Sequence, residues 1–250
     1  MYKWEGKSPL FLFILQLNFL NRVFRSNFVG FLINDKEFDM EISKFVMFKA
    51  AIMAGITIGI AGWGYLATYS IIGAVLFAFG LLTVVSYKMK LYTGTAGFVE
   101  FRNKDNKIQI AKPLTELFIV LGGNIIGCLL VGLLARLSPL ELTATAQKIL
   151  EGRLSVGPIN GGLLAIGCGF IMTTAVTFAR KGQNLPLIFG VPLFIVCGFP
   201  HCVADAFYYL TVPSDFILAN LSDVLVFYVS IVLGNFIGCN LYRIVMKNNP

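Results

Sequence analysis

The residue best suited to chemistry in this chain is His201, which is its only histidine and lies inside a long apolar segment. It follows Gly198 and Pro200, which interrupt helices because glycine permits positive φ and proline removes a backbone donor. An ionisable group deep in a membrane segment is a functional candidate by default, and histidine changes charge near neutral pH. We therefore interpret His201 as a pore residue rather than as a core histidine satisfied by one carbonyl.

A second apolar segment is interrupted by Gly94 and Gly97, and Thr93 and Thr95 lie at this interruption. A break leaves amides and carbonyls without partners, which a membrane tolerates only where they are buried or line a watery cavity. Two breaks at matched positions favour a pore over two packing kinks. We expect a partner of His201 to be one of the two threonines.

Two charged positions have open interpretations. Lys148 belongs either to a solvated loop or to an outer mouth, where it would raise the local concentration of anions. Asp205 follows the second break by one helical turn. Because a carboxylate lining the pore would oppose anions, we expect Asp205 to be paired with a helix end or with a donor between spans.

A short phrase occurs twice, since residues 123–128 read GNIIGC and residues 234–239 read GNFIGC. Each copy lies in a long apolar segment, so the sequence indicates a duplicated membrane domain. We place its halves at about residues 44–137 and 138–250, after an N-terminal segment of residues 1–43. Duplicated membrane halves place substrate paths at the repeat interface, where paired helices are broken.

The composition is that of a membrane protein, with 57% hydrophobic and 13% charged residues and a mean hydropathy of +0.78. A soluble domain is about 25% charged. The net charge of +7 fits basic cytoplasmic loops and requires no nucleic acid. The five cysteines lack C-x-x-C spacing, so we expect buried reduced thiols, no disulfide, no metal and no cofactor.

The apolar segments predict an all-α membrane protein with six transmembrane helices, two of them broken. Their order is helix, broken helix, helix, and then the same again. Because three is odd, the second half must be inverted, which makes an inverted repeat of three plus three. The predicted spans are residues 46–68, 70–100, 114–137, 159–179, 185–209 and 221–245.

The basic residues predict that both termini are cytoplasmic, in the inner (plasma) membrane. We interpret residues 1–43 as a cytoplasmic or interfacial amphipathic segment. Only Arg136, Lys148 and Arg153 fall on predicted outer segments. The predicted cytoplasmic segments of the membrane domain carry Arg102, Lys104, Lys107, Lys112, Arg180, Lys181, Arg243 and Lys247.

Taken together, these motifs resemble the formate/nitrite transporter family over roughly residues 44–247. The matching motifs are LYTGT at residues 91–95, the two GN phrases, Lys148, and GFPHCVA at residues 198–204. The resemblance implies an aquaporin-like fold, a homopentamer with one pore per protomer, and a small anion as substrate in a lipid membrane.

The resemblance also implies roles for particular residues. His201 and Thr93 would face a central chamber, and Lys148 would lie in the outer vestibule. Two hydrophobic constrictions would bound that chamber. The outer one would be formed by Leu91 and Tyr92, and the inner one by Leu81 and Phe194.

Three departures from the formate members of the family point to its hydrosulfide-channel branch. Pro200 stands where those members usually have Glu, Asp205 where they have Asn, and residues 163–171 lack their Asn. The expected function is therefore a channel for hydrosulfide that also conducts formate and nitrite.

The alternatives are a proton-coupled formate or nitrite transporter and a neutral-solute channel. Aquaporin-type channels normally carry two Asn-Pro-Ala boxes, and the sequence has none. An enzyme or metal transporter is disfavoured, because one histidine and scattered cysteines make no credible nucleophile or ligand set.

Overall fold

The structure is a computed structural model that describes residues 44–102 and 107–246, so the predicted N-terminal segment lies outside the described residues. Within these ranges the chain is helical and contains no β-strand, although a single bridge pairs Arg102 with Ile108. The helices are α1 Lys44–Thr68, α2 Ile71–Ser86, α3 Tyr92–Ala96, α4 Ala111–Ala135, α5 Leu142–Val156, α6 Pro158–Ala179, α7 Leu185–Val196, α8 Cys202–Thr211, α9 Ser214–Ala219 and α10 Leu221–Val245.

Four helices of the described chain, α1, α4, α6 and α10, are long and apolar enough to cross a membrane. They match four of the predicted spans closely. Large apolar side chains such as Phe118 and Leu233 stay exposed on them. Such faces suit contact with lipid, whose hydrocarbon core has no water to exclude apolar surface.

The two other predicted spans are each divided, α2 from α3 and α7 from α8. The second break falls where the sequence predicts it, since α7 ends at Val196 and Gly198 has a φ of 68°. The first break does not, because it lies between Ser86 and Tyr92 with Lys88 at a φ of 52°. In the left-handed region a lysine thus takes the role expected of glycine.

Gly94 and Gly97 are consequently not the residues of the first break. Gly94 lies inside α3, and Gly97 caps the end of that helix with an ordinary φ of −76°. The requirement at Gly97 is spatial, because a Cβ there would come within 2.6 Å of the Cys239 carbonyl oxygen and the Thr173 hydroxyl. A glycine motif therefore marked close packing rather than a hinge.

The segment before α6 is the helix α5 rather than a loop. Its buried residues Leu142, Ala146 and Leu150 recur every fourth position and form one apolar stripe. Gly157, with a φ of 78°, ends α5, and Pro158 starts α6 at a position where proline is tolerated. Polar residues between the apolar ones had concealed this periodicity.

The repeated phrases explain how the long helices pack, α4 against α1 and α10 against α6. A Cβ on Gly127 would overlap the backbone carbonyl of Ile52, and one on Gly238 would overlap that of Ile166. Small residues that let two backbones approach are typical of membrane helix interfaces. The last glycine of each phrase is therefore required by the same close approach in both pairs.

Candidate pore site at the two helix breaks

The two breaks meet at His201 and Thr93. The His201 Nε2 lies 2.9 Å from the Thr93 Oγ1, and both side chains are buried. Thr93 is in the first turn of α3, and His201 immediately precedes α8. Thr95, the other predicted partner, instead donates its hydroxyl to the Leu91 carbonyl at 2.8 Å.

The hydrogen bonds of the His201 ring determine which of its two nitrogens carries the proton. The Ala204 N–H donates to Nδ1 at 3.1 Å, so His201 is the side-chain cap of α8. Because Nδ1 accepts, the neutral ring carries its proton on Nε2 and donates it to the Thr93 hydroxyl. The ring also stacks on Phe194 with centroids 5.5 Å apart.

The first break is held by Asn124, a residue of the first repeated phrase. Its side-chain oxygen accepts the Tyr92 N–H at 2.9 Å. Its amide group donates to the Lys90 carbonyl at 2.9 Å and to the Ala51 carbonyl at 2.8 Å. The bonds to Tyr92 and Lys90 satisfy backbone groups that the broken helix leaves without partners, and the bond to Ala51 connects Asn124 to α1.

The second break is held in the same way by Asn235. Its oxygen accepts the Cys202 N–H at 2.8 Å, and its amide donates to the Pro200 carbonyl at 3.0 Å and to the Ala165 carbonyl at 2.8 Å. The two repeated asparagines therefore have matched roles. The repeat in the sequence shows where these asparagines are but does not show which groups they bind.

Asp205 is paired, as expected, and its partner is Arg153, which was not predicted from the sequence. Its carboxylate is 1% exposed and lies 2.8 Å from the Arg153 Nε in an ion pair. It also accepts the His201 N–H at 2.8 Å and the Tyr209 hydroxyl at 3.2 Å. The signal was available, because Arg153 continues the apolar stripe of α5 three residues after Leu150.

A cavity of about 940 Å³ opens beside the first break. Leu81 and Leu91 both line it, together with Lys90 and Arg180. Leu91 and Leu81, which the family resemblance assigned to different constrictions, thus line the same cavity. Arg180 also lines it, so the predicted topology, in which Arg180 is cytoplasmic, would put this cavity at the cytoplasmic end.

Phe194 is grouped instead with Phe77, whose ring centroid lies 6.3 Å away, and with His201. Tyr92, the fourth predicted constriction residue, is buried at the start of α3, and its hydroxyl is 3.4 Å from the Val232 carbonyl. Sequence reasoning missed Phe77, although it lies one helical turn before Leu81 on the same face of α2.

Lys148 is an exposed residue of α5 and does not contact His201. Its ammonium lies 5.2 Å from the centroid of the Tyr69 ring, in the turn between α1 and α2. Lys148 is thus at the end of the molecule where the predicted topology places the outer mouth.

Four of the cysteines are buried, as predicted, but Cys197 is exposed. Cys128 and Cys239, which end the repeated phrases, lie 3.4 Å from the carbonyls of Val203 and Thr93 respectively. Each phrase therefore holds one break with its asparagine and contacts the other with its cysteine. Among the residues that the structure describes, no group of three or more metal-binding side chains lies together.

A helical membrane protein whose broken helices meet at buried polar side chains is of the class of channels and transporters. Comparison with known proteins identifies the family, because the formate/nitrite transporter model matches residues 31–247. The chain belongs to the formate/nitrite transporter family. The members it matches are described as transporters or channels and not as enzymes, in agreement with the sequence analysis.

Two curated relatives are similar over part of their length. The uncharacterized transporter YrhG of Bacillus subtilis is 33% identical in an alignment of 159 residues that covers 58% of this chain and 58% of that protein. The formate channel FocA of Haemophilus influenzae is 24% identical in an alignment of 200 residues that covers 71% of this chain and 69% of that protein.

Two solved structures share the fold. A pentameric formate channel with formate bound has a TM-score of 0.66 at 20% identity and covers 84% of this chain and 98% of its own. An FNT family ion channel has a TM-score of 0.67 at 18% identity and covers 83% and 92%.

Proposed function

We propose that this protein is a membrane channel for a small monovalent anion, with hydrosulfide as its main substrate and formate and nitrite also permeating. The observation that carries the proposal is the buried hydrogen bond between His201 Nε2 and Thr93 Oγ1, at 2.9 Å. This bond joins the two helix breaks, where a duplicated membrane protein places its substrate path.

Neutral hydrogen-bond donors are what an anion needs in such a chamber. The Thr93 hydroxyl would donate its proton to the anion. The His201 Nε2 proton, which Thr93 accepts in this structure, would exchange that partner for the anion when it binds. The first N–H groups of α8 are largely used internally, since Cys202 donates to Asn235 and Ala204 donates to His201. Recognition would therefore rest on the two side chains, with His201 donating a hydrogen bond to the anion. To lend the anion a proton, the ring would first have to take up a second proton from solution at Nδ1, which would release the Ala204 N–H.

Apolar side chains on either side of the chamber would exclude water and larger ions. Phe77 and Phe194 would form one constriction, and Leu81, Leu91 and Tyr92 the other. Moving a bare anion from water into such surroundings costs several kcal/mol or more. Protonation of the anion inside the chamber, with a proton taken up from solution, would lower that cost.

The preference for hydrosulfide rests on Pro200, Asp205 and the absence of asparagine from residues 163–171. Asp205 is neutralised by Arg153, so it offers the anion neither a donor nor a free charge. Hydrosulfide presents a single heavy atom, sulfur, to its hydrogen-bond donors, whereas formate presents two oxygens. The His201–Thr93 pair suits the former.

The proposal includes the wider architecture. Residues 44–250 would form a domain of six spans, with inverted, aquaporin-like halves at residues 44–137 and 138–250, and residues 1–43 would lie at the cytoplasmic surface. Both termini would be in the cytoplasm and the protein in the inner membrane as a homopentamer. The matched hydrogen bonds of Asn124 and Asn235 support the two related halves.

Flux into proteoliposomes tests the function, with hydrosulfide, formate, nitrite and chloride compared from about pH 5 to about pH 8. His201→Ala removes both the cap of α8 and the Nε2 donor. His201→Asn is the matched variant, because its side-chain oxygen can still cap α8 while the Nε2 donor is lost.

We expect hydrosulfide to move fastest and both variants to lower its flux. Equal flux in the wild type and both variants would overturn the role of His201. Faster formate or nitrite flux would identify a formate or nitrite transporter. Osmotic swelling with water or glycerol, without anion flux, would identify a neutral-solute channel.

A further inference from the structure

The geometry points to Arg153 as a positioning residue that holds His201 in register with Thr93 by tying together the two sides of the second break. This inference rests on the proposed function for its effect on flux, but its structural part does not. Arg153 belongs to α5, a helix that precedes both the break and the histidine in the chain.

The guanidinium of Arg153 reaches both ends of the break. Its Nη1 donates to the carbonyl of Gly198, the residue with left-handed φ, and its Nε donates to the Asp205 carboxylate at 2.8 Å. The planar fork of arginine makes such a two-point contact in one fixed orientation. The distance between the last residues of α7 and the first turn of α8 is thereby fixed.

Asp205 transmits this constraint to the histidine. One carboxylate oxygen pairs with Arg153, and the other accepts the His201 N–H at 2.8 Å. The ring of His201 then bonds Ala204 on one side and Thr93 on the other. The contacts form an unbroken path from Arg153 through Asp205 and His201 to Thr93.

Removal of the Arg153 side chain would disturb these hydrogen bonds because it also leaves the Asp205 carboxylate without its ion-pair partner. Asp205 is 1% exposed, and a buried carboxylate that loses its partner is left with an uncompensated charge. The carboxylate must then take up a proton or water, or move, and we expect each of these changes to alter its hydrogen bond with the His201 N–H. A variant that removes both charges, Arg153→Met with Asp205→Asn, avoids the unpaired charge and keeps the experiment informative if the single variant does not fold.

Nuclear magnetic resonance of the imidazole tests the positioning directly, because the chain has one histidine and its ring signals need no assignment. The full-length protein is labelled with ¹⁵N-histidine and purified through a tag without histidine. We expect one neutral ring protonated at Nε2 in the wild type, and shifted or multiple ring signals in Arg153→Met and in the double variant. Arg153→Lys, which keeps the charge but not the fork, should lie in between.

Arg136→Met is the matched control. Arg136 also binds backbone carbonyls of this region, those of Leu210 and Val212, but they lie at the C-terminal end of α8, away from His201. The His201 ring signals of Arg136→Met should equal those of the wild type. Unchanged ring signals in folded Arg153→Met and in the double variant, or equal changes in Arg136→Met, would overturn the positioning role whether or not the protein conducts anions.

Flux measures the consequence of the same change. Groups that orient a binding residue typically contribute about 10- to 100-fold to binding or activity at metal sites, and we expect Arg153→Met to raise the half-saturating anion concentration roughly tenfold. In a His201→Ala background the same substitution should have less than about a twofold effect, because its target is gone. Equal effects in both backgrounds would show that Arg153 acts independently of His201.

Discussion

The two helix breaks share a backbone design. Each has one residue in the left-handed region, Lys88 at 52° and Gly198 at 68°. Each is bound by an asparagine of the neighbouring long helix, Asn124 or Asn235, through one accepted and one donated hydrogen bond. The second donated bond of each asparagine goes to another long helix, at Ala51 or Ala165. Both breaks are therefore held from the long helix beside them.

The side chains at the two breaks differ. Leu91 precedes α3 without a side-chain hydrogen bond and lines a large cavity. His201 precedes α8, caps it, and is connected to the ion pair of Asp205 and Arg153. One scaffold therefore presents an apolar side chain at the first break and an oriented polar one at the second.

The largest effect is expected from removal of either asparagine. Asn124→Ala and Asn235→Ala should each lower the free energy of unfolding by about 3 kcal/mol, roughly 1 kcal/mol for each hydrogen bond lost. Thermal and denaturant unfolding in detergent measures this. Similar losses would support the shared design, and a break that tolerates the change would show that its backbone is held by other contacts.

The glycines that end the two GNxxG motifs should come next. Gly127→Ala and Gly238→Ala place a methyl group against the carbonyls of Ile52 and Ile166, and overpacking of this kind costs about 2 kcal/mol. Gly64→Ala is the control, because no atom lies within 4 Å of its added Cβ. The shared packing would be refuted if either substitution were as harmless as the control.

Exchange of the left-handed residues should have smaller effects of opposite sign. Gly198→Ala has space for its Cβ but acquires an unfavourable φ, so we expect a loss of about 1 kcal/mol. Lys88→Gly relieves that cost but adds freedom to the unfolded chain, for a net gain of about 0.5 kcal/mol. The unfolding midpoints of the two variants measure these changes in stability. Changes of the same sign in both variants would contradict the matched geometry of the two breaks.

The smallest effect on stability is expected at Lys148, which the proposed function places in the outer mouth. Loss of its contact with Tyr69 in Lys148→Gln should cost about 0.5 kcal/mol, the value of an exposed cation–π pair. Its flux should fall only at low anion concentration and low salt, because salt screens an exposed charge. A reduction that persists at high salt would mean that Lys148 acts by direct contact rather than by attracting anions.

The long helices and the second break were predictable from the sequence, because apolar length, Gly198 and Pro200 are local signals. The family was likewise apparent from the motifs. The first break was misplaced, since Lys88 takes a conformation that its residue type disfavours and tertiary hydrogen bonds from Asn124 hold it. The conformational preference of a residue type contains no information about a hydrogen bond from another helix.

The candidate site was predicted as separate residues rather than as an arrangement. His201 and Thr93 stood out because polar groups are rare in spans, and the structure brings them into contact. Arg153 and Phe77 were missed because their positions are recognised only from the helix face they share with other residues. Arg153 lies on the apolar stripe of α5, and Phe77 lies one turn before Leu81 on α2. The cavity that Leu81 and Leu91 share was not foreseen, because the pairing of residues across a path depends on their three-dimensional positions.

A double-mutant cycle in anion flux tests the central claim, that His201 and Thr93 act as one unit where the breaks meet. Hydrosulfide flux is compared in Thr93→Val, His201→Ala and the double variant, with Thr95→Val as the control because the Thr95 hydroxyl donates to the Leu91 carbonyl of its own turn. We expect the flux of the double variant to be no lower than that of the less active single variant, and the flux of Thr95→Val to resemble that of the wild type. Fully additive losses, or equal losses in Thr93→Val and Thr95→Val, would contradict it.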